Sequence, residues 1–242
     1  MNYVTPIGFR DVISDEALVR EDLTYRVQQC FARHGYSPIE TPTLEVLEVM
    51  EAGGHVPASP FKLFDSRGDL LAMRPDVTMQ IARMCATRIT SFDPAVKLRY
   101  TQRVFREKTA EAAARELTQM GVECLSESGV EADANIIALF SEALAETRIS
   151  EYRIALGSAR VLRDLVSCCQ MDAGWENAVY RAFHTSNFVA LDNLTKTAEG
   201  NQAAIGALAQ LPMLRGQKEA LGEIRALLAP LGRSEGVDEL QA

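Results

Sequence analysis

With 242 residues, 47% of them hydrophobic and 24% charged, the chain has room for one large domain or for a domain with a smaller appendage. The formal net charge is −8, and no Lys/Arg run or basic stripe with interleaved aromatics interrupts it, which argues against nucleic acid as the main partner. No apolar run approaches the ~20 residues needed to cross a bilayer. The opening MNYVTPIGFRD lacks a basic region followed by an apolar core, so no signal peptide is expected and the cytoplasm is the expected compartment.

Ser14 to His34 carries Val19, Leu23, Val27, Cys30 and Phe31 at three- and four-residue steps, which predicts an amphipathic helix. Asp15 and Glu16 suit its first turn and Gly35 is a natural stop. Pro38 and Pro42 make Tyr36 to Glu45 extended, at a sheet edge or an interface. Phe61–Asp65 and Leu70–Arg74 flank Ser66-Arg67-Gly68-Asp69 and predict a hairpin. Pro75 and Asp76 then open a helix to about Thr90, with Asp76 suited to capping it. Val96–Arg106 and Arg115–Leu125 read as long strands, joined by a charged, alanine-rich mobile connection from Glu107 to Ala114.

Asp133 to Thr147 predicts a helix with Ile136, Ile137, Phe140 and Leu144 on one face, and Tyr152–Leu156 a strand ending at Gly157. From Arg160 onward the pattern is helical, punctuated by Gly200, Pro212, Gly216, Pro230 and Gly232, and the polar tail Arg233–Ala242 is expected to fray. The expected class is therefore α+β. A mostly antiparallel sheet with flanking helices occupies residues 1–165, and a small helical appendage occupies residues 166–242.

The five cysteines, Cys30, Cys85, Cys124, Cys168 and Cys169, are odd in number and form no C-x-x-C. His34, His55 and His184 show no metal-ligand spacing. Reduced, partly buried thiols are expected, with no metal and no cofactor.

The strand Arg115–Leu125 carries the most chemistry. Strand side chains alternate, so Met120, Val122 and Cys124 face a core while Gln119, Gly121 and Glu123 face the other way. Gly121 leaves a gap in which a ligand could approach the backbone. Arg106 ends the preceding strand and suits a carboxylate through two parallel hydrogen bonds. Asp76 and Thr78 suit an ammonium group, and Gln119 with Glu123 suits a side chain bearing N–H groups, such as imidazole. Together the five match a free amino acid. They would serve equally as a helix cap, a solvated sheet face and a surface ion-pair partner, and spacing alone does not separate the two readings.

Three stretches add a resemblance. IGFRDVISDEA, FKLFDSRGDLLAMRPDVT and LRYTQRVFREKTAEAAARELTQMGVE resemble the opening, the hairpin with its amino-acid-binding turn, and motif 2 of the histidyl-tRNA synthetases and their regulatory paralogues. Glu40-Thr41-Pro42 sits where motif 1 places its dimer-interface proline, and LGSARVLRDLV is also similar, so the resemblance spans Pro6–Val166. It implies a class II aminoacyl-tRNA synthetase-like sheet. It implies a histidine pocket in which Asp76 and Thr78 hold the α-amino group, Arg106 the carboxylate, and Gln119 and Glu123 complete the site.

The departures point to the regulatory branch. Asp76-Val77-Thr78 stands where a working synthetase has Glu-Gly-Thr, and the loop from Glu107 to Ala114 replaces a basic ATP-binding loop with glutamates and alanines. Neither the Arg-Gly…Tyr-Tyr strand nor motif 3 is found before Ala242, so the last catalytic strands are expected to be missing and the helical appendage to correspond to an insertion. With these departures, the resemblance implies a non-catalytic regulatory subunit of ATP phosphoribosyltransferase in histidine biosynthesis. It would bind histidine, activate the short-form catalytic subunit, and form a homodimer within a hetero-oligomer. No residue is expected to be catalytic and tRNA is not expected as a partner. The alternative is a truncated histidyl-tRNA synthetase.

Overall fold

A computed structural model describes residues 5–52, 60–107 and 114–242. The chain forms two compact units, one through Glu151 and one from Tyr152 to Ala242. The boundary expected at 165/166 falls instead at 151/152, because the helix containing Leu165 and Val166 packs wholly into the second unit's core.

In the first unit, α1 (Ser14–Arg33) ends as its sequence predicts. Gly35 adopts φ +84°, and the Gly35 and Tyr36 amides donate back to the Ala32 and Phe31 carbonyls at 3.0 and 3.2 Å. That pair of bonds is a Schellman closure, and it turns the chain into β1 (Ser37–Pro38). Val27, Cys30 and Phe31 are buried, whereas Val19 at the other end of the expected stripe is 64% exposed.

Next come β2 (Leu44–Val46), α2 (Leu47–Ala52), β3 (Lys62–Phe64), β4 (Leu70–Met73), α3 (Thr78–Arg88), β5 (Val96–Phe105), β6 (Glu116–Leu125) and α4 (Val130–Glu146). They make two three-stranded sheets, ordered β1-β5-β6 and β2-β4-β3. Every pairing is antiparallel except the short β1–β5 one. The expected hairpin is β3–β4, where the Asp65 carboxylate accepts from the Arg67 and Asp69 amides and closes the turn.

β5 and β6 pair along ten residues, from Val96 with Leu125 to Phe105 with Glu116. One face, with Met120, Val122 and Cys124, packs on α1 and α4; the other packs Tyr100 and Val104 under Val77, Ile81 and Cys85. α4 keeps only part of the face expected: Ile136 packs on the core, but Ile137 is exposed. Leu139 and Ala143 are buried against α1, and Phe140 is 52% exposed. The helix carries two adjacent apolar stripes, and the one through Ile136, Leu139 and Ala143 faces α1.

The second unit contains α5 (Ala159–Cys168), α6 (Ala173–His184), α7 (Phe188–Lys196), α8 (Gln202–Gln210), α9 (Lys218–Leu228) and α10 (Glu235–Gln241) around Leu165, Val166, Val179, Leu191, Leu208 and Leu228. Side chains of Ser158, Asp172, Asn187 and Asn201 cap four of these helices. Tyr152–Leu156 forms no strand. Its alternating Tyr152, Ile154 and Leu156 remain exposed, and a strand needs a neighbour to satisfy its backbone. The tail does not fray either: Val237 is fully buried, and Gly236 lies so close to α5 that a Cβ there would sit 2.8 Å from the Val161 nitrogen. No helix among the described residues is long and apolar enough to cross a membrane.

Candidate functional site

The entry into α3 is set by a residue that the sequence did not single out. Arg74 is 5% exposed. Its Nε donates to the Arg103 carbonyl at 2.6 Å, and its Nη1 donates to the Thr41 and Pro42 carbonyls at 2.7 and 3.1 Å. Its backbone carbonyl accepts from the Phe105 amide at 2.9 Å. A planar fork of donors suits three fixed carbonyls, and this staple fixes where Pro75 and Asp76 leave β4. Burial pushes the Arg74 guanidinium below its usual value, with Glu40 opposing.

The segment from Pro75 to Thr78 then crosses the face of the β5–β6 hairpin. Asp76 does not cap α3 closely; its Oδ1 accepts from the Met79 amide at 3.4 Å, and the helix begins at Thr78. Thr78 Oγ1 donates to Glu123 Oε1 at 2.7 Å. Gln119, on the same face of β6, donates through Nε2 to the Tyr100 hydroxyl at 3.2 Å. Its Oε1 is buried and has no hydrogen-bond partner.

The gap expected over Gly121 is not open space. Tyr100 lies opposite Gly121 in the register, and its phenol covers the glycine: a Cβ there would be 2.5 Å from the phenol oxygen. An aromatic facing a glycine across a strand pair is a recognisable cross-strand pattern, and it was the available signal for Tyr100.

The electrostatics follow from this packing. Burial raises the Glu123 carboxyl, the Thr78 hydrogen bond opposes the rise, and the negative charge of Asp76 adds to it. Burial also raises the Tyr100 phenol, reinforced by the Glu123 charge. The face therefore offers the carboxyl groups of Asp76 and Glu123 and an unpaired amide oxygen around the Thr78 and Tyr100 hydroxyls. Such an array accepts hydrogen bonds from N–H donors and favours positive charge.

Arg106 follows β5 where the hairpin's connection begins, four positions along from Gln102, the partner of Gln119. Its Nε donates to the Pro75 carbonyl at 3.3 Å, so it is tied to the same crossing segment. Thus Asp76, Thr78, Gln119 and Glu123 gather around Tyr100, while Arg106 marks the far end of the segment that links them. Most of the expected connection between Glu107 and Ala114, residues 108–113, lies outside the described residues.

Residues 8–242 match the family model described as histidyl-tRNA synthetase. The ATP phosphoribosyltransferase regulatory subunit of Moorella thermoacetica is 31% identical over 240 residues, covering 97% of this chain and 61% of that protein. The same-named protein of Caldanaerobacter subterraneus is 32% identical over 223 residues, covering 91% of this chain and 58% of that protein. The chain thus spans about three-fifths of the length of these relatives. Among solved structures, an ATP phosphoribosyltransferase regulatory subunit/histidyl-tRNA synthetase from Bacillus halodurans superposes with a TM-score of 0.87 at 26% identity, covering 99% of this chain and 63% of that one. Histidyl-tRNA synthetase from Nostoc superposes at 0.76 with 20% identity over 100% of this chain and 57% of that one, which shows the shared α+β class II fold alone.

Proposed function

Because the chain belongs to the histidyl-tRNA synthetase family through its match over residues 8–242, we propose that it acts within that family as a regulator and not as a ligase. It serves as a non-catalytic regulatory subunit of ATP phosphoribosyltransferase in the cytoplasm. It pairs as a homodimer within a hetero-oligomer, activates the short-form catalytic subunit and conveys histidine feedback. The relatives' names support this reading, and so does the acidic character of the loop beyond Arg106. Positioned cationic groups are what phosphoryl chemistry needs to stabilise its transition state.

The observation that carries the ligand is the acceptor array of Asp76, Gln119 Oε1 and Glu123 around the Thr78 and Tyr100 hydroxyls. Histidine brings an ammonium and an imidazole N–H to such acceptors and a carboxylate to Arg106. If one assembly state presents this array better than another, histidine shifts the balance between them by its difference in affinity.

Calorimetric titration with histidine tests the pocket. Binding is expected for the chain in complex with the catalytic subunit, and Glu123→Gln is expected to weaken it about 10- to 150-fold, the loss of one charged hydrogen bond of ~1.5–3 kcal/mol. Equal affinity in wild type and variant would remove the pocket. Histidine-dependent ATP–pyrophosphate exchange would instead establish the ligase reading. Failure to co-purify with the catalytic subunit, or to alter its activity, would remove the regulatory one.

A further inference from the structure

The last turn of α1 carries a second polar cluster, on the face of the β5–β6 sheet opposite the candidate pocket. Cys30 and His34 are one helical turn apart and share a face. Glu142 comes from α4, which packs on α1 through Val27, Phe31, Leu139 and Ala143. The Cys30 sulfur, a His34 ring nitrogen and a Glu142 oxygen all lie within 4.8 Å of one another. His34 Nε2 and Glu142 Oε2 are 2.8 Å apart. Cys30 is buried while His34 and Glu142 are exposed, so the thiol forms a floor and the other two groups a mouth open to water.

We propose that Cys30, His34 and Glu142 form a binding site for a zinc-class divalent cation that clamps the end of α1 to α4. A thiolate, an imidazole and a carboxylate are the ligand types zinc takes, at about 2.3, 2.0–2.1 and 2.0–2.2 Å, with water at a fourth position. Donor atoms around such an ion stand roughly 3.3–3.6 Å apart, from those bond lengths and tetrahedral angles. The 2.8 Å pair must open and the widest separation must close, each by on the order of 1 Å, which side-chain rotation of the two exposed residues supplies.

The surroundings contribute in both directions. The carboxyl end of α1 favours a cation through the helix dipole. The Arg33 guanidinium beside the thiol opposes one, but it is engaged by Glu146 at 2.8 Å. Burial raises the Cys30 thiol, and a thiol that takes a metal gives up its proton to water as the sulfur–metal bond forms. This site is independent of the histidine reading and uses none of its residues.

The test is titration of the tag-free full chain, under reducing conditions and after chelation, with cobalt(II). One cobalt per chain is expected, with thiolate-to-metal absorption in the near-ultraviolet that zinc displaces. His34→Gln and Glu142→Gln, both at exposed positions, are expected to weaken binding at least about tenfold while circular dichroism stays unchanged, since even outer-shell losses cost that much. Cys168→Ser with Cys169→Ser is expected to leave the absorption in place. Absence of the absorption at one equivalent, or its survival at full strength in His34→Gln, overturns the proposal.

Discussion

The two units treat their polar groups differently. In the helical unit four of the six helix starts are closed by Ser158, Asp172, Asn187 and Asn201, and the core is aliphatic; its one buried side-chain atom without a hydrogen bond among the described residues, Asp164 Oδ2, still faces Arg160 at 4.0 Å. In the sheet unit, Gln80, Thr101 and Gln119 keep buried polar atoms without partners, and Glu123 is held beside Asp76. Unmet polar groups cost stability, so their concentration on the sheet side means that this unit gives up stability that the helical unit keeps.

That contrast can be broken most forcefully at Arg74. Arg74→Met removes the donors to three backbone carbonyls and is expected to cost about 3–5 kcal/mol, read from urea unfolding. A loss under about 1 kcal/mol would mean the staple is ornamental.

Glu123 sharpens the comparison through pH. Its carboxyl is raised above the ordinary value of 4.5, so the folded chain holds that proton more tightly than the unfolded one. Its contribution to stability is present below that value and is lost as pH rises through the raised one. Glu123→Gln is therefore expected to melt above wild type at about pH 7, with the gap closing toward about pH 4. A variant that melts lower at neutral pH would reverse the assignment.

Gln80 is 1% exposed with both amide atoms unpartnered. Gln80→Met keeps the volume and removes the unmet groups, and should stabilise by about 1–2 kcal/mol in the same assay. On the satisfied side, Asn201→Ala deletes a cap that accepts from the Ala203 and Ala204 amides, and should cost about 1 kcal/mol. If Gln80→Met destabilised the chain, the two units would not differ as described.

The parts legible in the sequence were those specified locally. The β5–β6 pair follows from two ten-residue alternating runs, and the end of α1 follows from Gly35. Thr78 and Glu123 do meet in one hydrogen bond, although the resemblance and not their spacing joined them across 45 positions. The rest depended on tertiary choice. α4 had two apolar stripes to offer, and only the shape of α1 selects Leu139 and Ala143. Val237 looked like part of a polar tail because its partner surface on α5 is distant in the chain. His34 shows no metal-ligand spacing in the sequence, because Glu142 lies 108 residues beyond it on another helix. Arg74 read as the end of a strand, because backbone carbonyls leave no signature in a sequence.

Tyr100 and Gly121 fix the depth of the acceptor array by mutual exclusion. Even a single methyl at position 121 would evict the phenol, and the Gln119 amide would lose the hydroxyl that orients it. The arrangement of acceptors on this face can therefore be undone by an uncharged change at a residue that contributes no polar side chain to it.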